Sequence, residues 1–171
     1  KGFDLDHVYS SWDVLGFGGR VNTAGPAVVF DDTGTFEAIS VADALLEQGM
    51  KVTLVSRYES LGASLPYPPA TVEAARERLM SQDFDFIGGH YIQAITQDEV
   101  MIGVPFTERN RRVQANTVAL VTYNHPNREL GDYLADQFTE SKTKIHTIGD
   151  ASGTNGIQAA IHQAANLIRS L

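Results

Sequence analysis

The sequence predicts an α/β fold: an open, mostly parallel sheet flanked by helices, with a small antiparallel meander. Three observations carry that expectation. The stretch from Pro26 to Arg57, PAVVFDDTGTFEAISVADALLEQGMKVTLVSR, joins an apolar strand, a tight turn, an amphipathic helix and a second apolar strand. Strands and helices go on alternating through most of the chain, as in a layered α/β sheet. Between Phe84 and Gln114 the apolar period shortens to two, which marks short paired strands.

The bulk properties agree. A chain of 171 residues with 43% hydrophobic and 20% charged residues suits a compact globular domain with a real core. No run of about 18 apolar residues is present, so no membrane span is expected. The opening KGFDLDHVYSSWD is polar and acidic, unlike a secretory leader. The formal net charge of -8 argues against nucleic acid as a partner, since phosphate binding needs clustered Lys and Arg. There are no cysteines, which excludes disulfides, thiolate metal sites and iron–sulfur ligands on this chain and fits a cytoplasmic setting.

Residues 1–25 show little periodicity and end in a glycine-rich run, Gly16, Gly18, Gly19 and Gly25; they read as a linker or crossing segment with one short helix near Trp12. Ala27–Phe30 is a short apolar run bounded by turn residues, as expected of a central parallel strand. The next helix places Ile39, Val41, Ala42, Leu45 and Leu46 on one face, and Gly49 stands where a helix end favours positive φ. Val52–Val55 is the second strand. Leu61–Pro69 contains three prolines and no regular element. Ala70–Met80 reads as a helix with Val72, Ala75, Leu79 and Met80 inward. Phe84–Ile87, His90–Ile95, Val100–Val104 and Arg111–Gln114 read as strands of the meander, with Arg109, Arg111 and Arg112 at a solvated edge that blocks further pairing. Thr117–Thr122 is another buried strand, and a helix follows from Arg128 to Phe138. Lys144–Ile148 reads as the last strand. The closing helix carries Ile157, Ala160, Ile161, Ala164, Ile168 and Leu171 on one side.

This is the frame of a Rossmann-like FAD/NAD(P)-binding fold, and three places in it bear on chemistry. A pyrophosphate loop uses glycines so that backbone amides and a helix N-terminus can face the ligand. Here the loop is Asp31-Asp32-Thr33-Gly34-Thr35, with one glycine and two carboxylates. A phosphate beside such carboxylates meets a repulsion of roughly 1–4 kcal/mol per close pair. Asp31, Thr33, Gly34 and Thr35 are candidate cofactor contacts; the same residues can equally cap a helix over an empty site. At the end of the second strand, NAD sites place an acid and NADP sites a basic residue. Ser56 and Arg57 stand there, and Arg57 either meets a 2′-phosphate or an adenine or is a solvated arginine. The third place is Gly149-Asp150 before the last helix, where Gly149 permits close approach, Asp150 can accept a ligand hydroxyl, and Asn155 lies in the exposed turn that follows. No metal-ligand spacing is present among the histidines, no nucleophile elbow, and no acid/base pair, so no catalytic residue is assigned.

Three segments together, VVFDD…ADALLEQGMKVTLVSR, TVALVTYNHPNREL and IGDASGTNGIQAAIHQAANLIRSL, resemble the C-terminal nucleotide-binding region of the NADH:flavin oxidoreductase family, the 2,4-dienoyl-CoA reductase and trimethylamine dehydrogenase group. The resemblance runs from about Leu5 to Leu171. It implies that residues 26–115 are an NAD(P)-type unit and residues 116–171 the closing part of an FAD/ADP-type domain, packed with the former as one compact domain. It implies FAD or ADP, NAD(P)H, or both as ligands, held weakly or not at all by the isolated chain. FMN and an iron–sulfur cluster are then expected only in an N-terminal flavin barrel of the same polypeptide, which is the partner it implies, with a homo-oligomer left open. Asp150 takes the place of the family's flavin- or ADP-contacting carboxylate. Tyr123 replaces a usual glycine, and Thr154-Asn155 a usual Pro-Arg. On this resemblance the chain alone is not expected to turn over substrate. The rival expectation is a vestigial Rossmann-like module that docks or supports and binds no nucleotide.

Overall fold

The structure is a computed structural model that describes residues 1–18, 21–65, 70–139, 143–153 and 156–170. The chain divides into two compact units, Lys1–Thr122 and Tyr123–Leu171.

The first unit holds a five-stranded parallel sheet in the order β1-β8-β2-β3-β4 and a three-stranded antiparallel sheet in the order β5-β6-β7. Its strands are β1 (Val8–Ser10), β2 (Ala27–Asp31), β3 (Val52–Ser56), β4 (Phe84–Ile87), β5 (Tyr91–Ile95), β6 (Glu99–Gly103), β7 (Asn110–Gln114) and β8 (Thr117–Val121). Helices α1 (Ser11–Val14), α2 (Phe36–Glu47) and α3 (Ala70–Met80) connect the first four strands. β2 pairs in parallel with β3 on one side and with β8 on the other.

Side-chain alternation sorts the sheet into two faces. Ala27, Val29, Val52, Leu54, Ala119 and Val121 pack with the helices, α2 burying Ile39, Val41, Ala42, Leu45 and Leu46 there. Val28, Val55 and Val118 pack instead on Ile95, Val100 and Ile102 of the antiparallel sheet. In this unit helices cover one face of the sheet and the meander covers the other.

Four expectations change. The segment before Ala27 contributes β1, an edge strand paired with β8, as well as the short helix at Trp12. Phe84–Ile87 joins the parallel sheet beside β3 rather than the meander. Met80 is half exposed at 49%, because it falls at the last turn of α3, past the stripe of Ala75 and Leu79. Lys144–Ile148 forms no strand among the described residues. The second unit consists of α4 (Glu129–Gln137), a single 3-10 turn at Gly149–Ala151, and α5 (Gly156–Ser170). Gly19, Pro66–Pro69, Thr154, Asn155 and Leu171 lie outside the described residues.

Candidate functional site

In an open parallel sheet, ligands bind beyond the carboxyl ends of the strands where the connection direction reverses. β2 is that point here, with β3 on one flank and β8 on the other. Its carboxyl end carries Asp31, which continues the helix-facing series Ala27, Val29 and so turns its side chain inward.

Asp31 is 1% exposed, and its carboxylate is enclosed by hydrogen bonds. The amides of Thr33 (3.0 Å) and Gly34 (2.7 Å) and the Thr33 hydroxyl (3.2 Å) donate to Oδ1. The hydroxyl of Ser56, at the end of β3, donates to Oδ2 at 3.1 Å. Buried charge is tolerated only with such compensation, and hydrogen bonds to an ionised acceptor are the strong kind. Thr33 and Thr35 pair through their hydroxyls at 2.8 Å. Gly34 has φ +67, and a Cβ there would meet Ser64 Oγ at 2.7 Å and the Tyr58 ring at 3.0 Å. The Ser64 amide donates to the Gly34 carbonyl at 2.9 Å. The close approach that this glycine permits is therefore made by the protein's own chain.

The neighbouring groups are also engaged. The Asp32 amide donates to the Val121 carbonyl at 2.9 Å, joining the ends of β2 and β8. Arg57 reaches the Asp32 carboxylate at 3.2 Å and lies over the Tyr58 ring at 5.6 Å. Arg57 remains about half exposed, so the pair is weak, on the order of 0–1 kcal/mol. The structure thus brings Asp31, Thr33, Gly34, Thr35, Ser56 and Arg57 into one cluster. A shallow depression lined by Thr23, Pro26, Gln48, Met50 and Lys51 lies at the opposite end of β2 and β3, away from these residues.

In the second unit Gly149 has φ +66, and its amide donates to Gln163 Oε1 of α5 at 2.7 Å. Ser152 Oγ donates to the Gly149 carbonyl at 2.8 Å, and its backbone amide donates to the same oxygen at 2.9 Å. The exposed Asp150 accepts the Gly156 amide at 3.0 Å, which caps the start of α5. Asn155 lies outside the described residues. Sequence reasoning missed Gln163, Ser64 and Tyr58. Gln163 lay on the polar side of an evident helix, and nothing in its spacing points back to Gly149; Ser64 and Tyr58 lie in a stretch with no period. Among the described residues no group of His, Asp and Glu is arranged to hold a metal, and no helix is long and apolar enough to cross a membrane.

No family model matches the sequence, and no curated protein matches it. Solved structures do. The 6-hydroxypseudooxynicotine amine oxidase from Pseudomonas geniculata N1 superposes with a TM-score of 0.83 at 26% identity, over 96% of this chain and 24% of that one. Histamine dehydrogenase from Rhizobium sp. 4-9 gives 0.81 at 23% identity, over 98% of this chain and 26% of that one. A 2-naphthoyl-CoA reductase gives 0.76 at 20% identity, over 95% and 23%. The last two likenesses are of fold. The chain spans about a quarter of the length of these structures.

The fold is of the Rossmann-like class. Within that class, these matches agree with the chain's resemblance to the trimethylamine dehydrogenase and dienoyl-CoA reductase group of flavin oxidoreductases.

Proposed function

We propose that this chain is the nucleotide-binding C-terminal portion of a flavin-dependent oxidoreductase, of the NADH:flavin oxidoreductase or amine dehydrogenase kind. The observation that carries the proposal is the 96% coverage at a TM-score of 0.83 and 26% identity to an amine oxidase four times its length. In the intact protein the portion holds FAD, ADP or NAD(P)H beside an N-terminal barrel, in the cytoplasm. FMN and an iron–sulfur cluster belong to that barrel, as a chain without cysteine offers the cluster no thiolate. When bound, the flavin supplies the hydride and electron chemistry. This chain's residues bind and orient, and by themselves give no turnover.

The two candidate places differ in fit. Gly149 and Asp150 suit an adenylate through the exposed Asp150, whose carboxylate can accept a ribose hydroxyl while one oxygen caps the Gly156 amide; the Gly149 amide is already given to Gln163. The Asp31 loop suits a phosphate poorly, since its amides already face a carboxylate. Calorimetric titration of the chain and of the full-length protein with NADH, NADPH, FAD and ADP tests the proposal. Binding of one of them upholds it, and binding of none in either form refutes it.

A second reading has one observation in its favour, the closure around Asp31. It makes the chain a vestigial support or docking module. Nucleotide affinity that is absent from the natural chain and emerges in Asp31→Gly with Thr33→Gly would select it.

A further inference from the structure

We infer that Asp31 is the resident anion of the first unit's phosphate loop, and that it makes this loop selective against dinucleotides. The inference rests on the reading of that unit as a dinucleotide-type fold and names which of its residues sets ligand choice. A phosphate at such a loop takes its hydrogen bonds from backbone amides and a hydroxyl near a helix N-terminus. The donors are present here, but four of them converge on one carboxylate of the same chain. Thr33 and Gly34 give their amides and Thr33 its hydroxyl to Oδ1, and Ser56 gives its hydroxyl to Oδ2.

The carboxylate occupies the turn that precedes α2 in charge and in space. The carboxylate supplies the negative charge that the N-terminal side of α2 favours. Asp31 is 1% exposed, so no second anion reaches those amides without displacing it. The space above Gly34 is filled by Ser64 and Tyr58. Arg57, the group placed to meet a 2′-phosphate, is paired with Asp32 at 3.2 Å. A loop closed on its own carboxylate in this way is a structural tie among β2, β3 and the turn that leads into α2. It leaves any nucleotide of the protein to other residues.

The test follows the amide resonances of Thr33 and Gly34 in the 171-residue chain. In the natural chain, inorganic pyrophosphate, ADP and NADH should leave both unmoved at millimolar concentration, whereas binding at Gly149 and Asp150 moves resonances of that segment alone. In Asp31→Gly, pyrophosphate should shift Thr33 and Gly34 saturably, with an affinity at least about tenfold above the natural chain's. Acetate, the missing side chain as a free ion, should raise the melting temperature of Asp31→Gly and not that of the natural chain. Saturable movement of Thr33 or Gly34 in the natural chain overturns the inference. So does a folded Asp31→Gly that responds to neither anion. Should Asp31→Gly not fold, the natural chain's titration decides alone. Failure of every nucleotide to bind anywhere counts against the proposed function and leaves this inference standing.

Discussion

His7 is 8% exposed, and neither of its ring nitrogens meets a hydrogen-bond partner. An unpaired buried polar group costs about 1–3 kcal/mol, whereas an apolar group of the same shape costs nothing comparable. His7→Leu is therefore expected to stabilise the first unit by about 1 kcal/mol. Urea unfolding measures it, and a loss of stability would show that the imidazole is in use. Asp13 is the other informative residue. The hydroxyl and amide of Ser10 donate to its carboxylate and hold its pKa below the ordinary carboxylate value. A depressed carboxylate contributes stability above its unfolded pKa and loses it as pH falls through the folded one. Ser10→Ala should accordingly lower the melting temperature at neutral pH, and the difference from the natural chain should shrink in acid below the usual carboxylate range. The part that remains in acid belongs to the Ser10 hydroxyl accepting the Asp13 amide at 3.2 Å; a difference wholly independent of pH would refute the assignment. The cluster at Asp31 was half legible in sequence. Asp31, Thr33 and Gly34 stand adjacent and read as a turn, but whether that turn faces a ligand or its own carboxylate depends on Ser56 and Ser64, which the chain returns from β3.

Among the elements, the legible ones are those whose pattern is local. α2 shows its buried face as spaced apolar residues and its end as Gly49, at φ +79. Open space surrounds that glycine, so a side chain there meets only backbone strain. Gly49→Ala should cost about 1–2 kcal/mol, and thermal unfolding reads it. Leu45→Ala, inside the helix and 0% exposed, should cost about 2–5 kcal/mol by leaving a cavity; a smaller loss would show that the core closes over the gap. The illegible elements are those defined by a neighbour distant in sequence. β1 is three residues of mixed polarity and becomes a strand only by pairing with β8, about a hundred residues on. β4 reads like the meander strands in composition, and its parallel partner β3 decides its sheet. Lys144–Ile148 has strand composition, yet no strand is formed there among the described residues. Periodicity reports what a segment can bury, and pairing reports what is there to receive it.

For the whole molecule, the two units are built on different terms. The first has two apolar clusters, one on each face of its parallel sheet. In the second, neither α4 nor α5 has a buried residue. Leu130, Tyr133, Ile157, Ile161 and Ile168 stand 60% or more exposed. Backbone opening is easiest where few apolar contacts oppose it. Hydrogen exchange should show β2, β3 and β8 opening only with global unfolding, and α4 and α5 exchanging roughly a hundredfold faster or more; equal protection would mean that a single cooperative transition governs both. The alternation of strands and helices made the class of fold legible from the start, and it could not show that one face of the sheet belongs to the meander, because an apolar strand reads alike whichever layer covers it.

The isoleucines of α5 also govern how a solution of this chain behaves. Ile157, Ile161 and Ile168 make one greasy ridge on an otherwise acidic molecule. Such a ridge lowers solubility as salt rises and drives clumping as the sample is concentrated. Replacing Ile161 with lysine should sharpen the light-scattering profile of a concentrated stock.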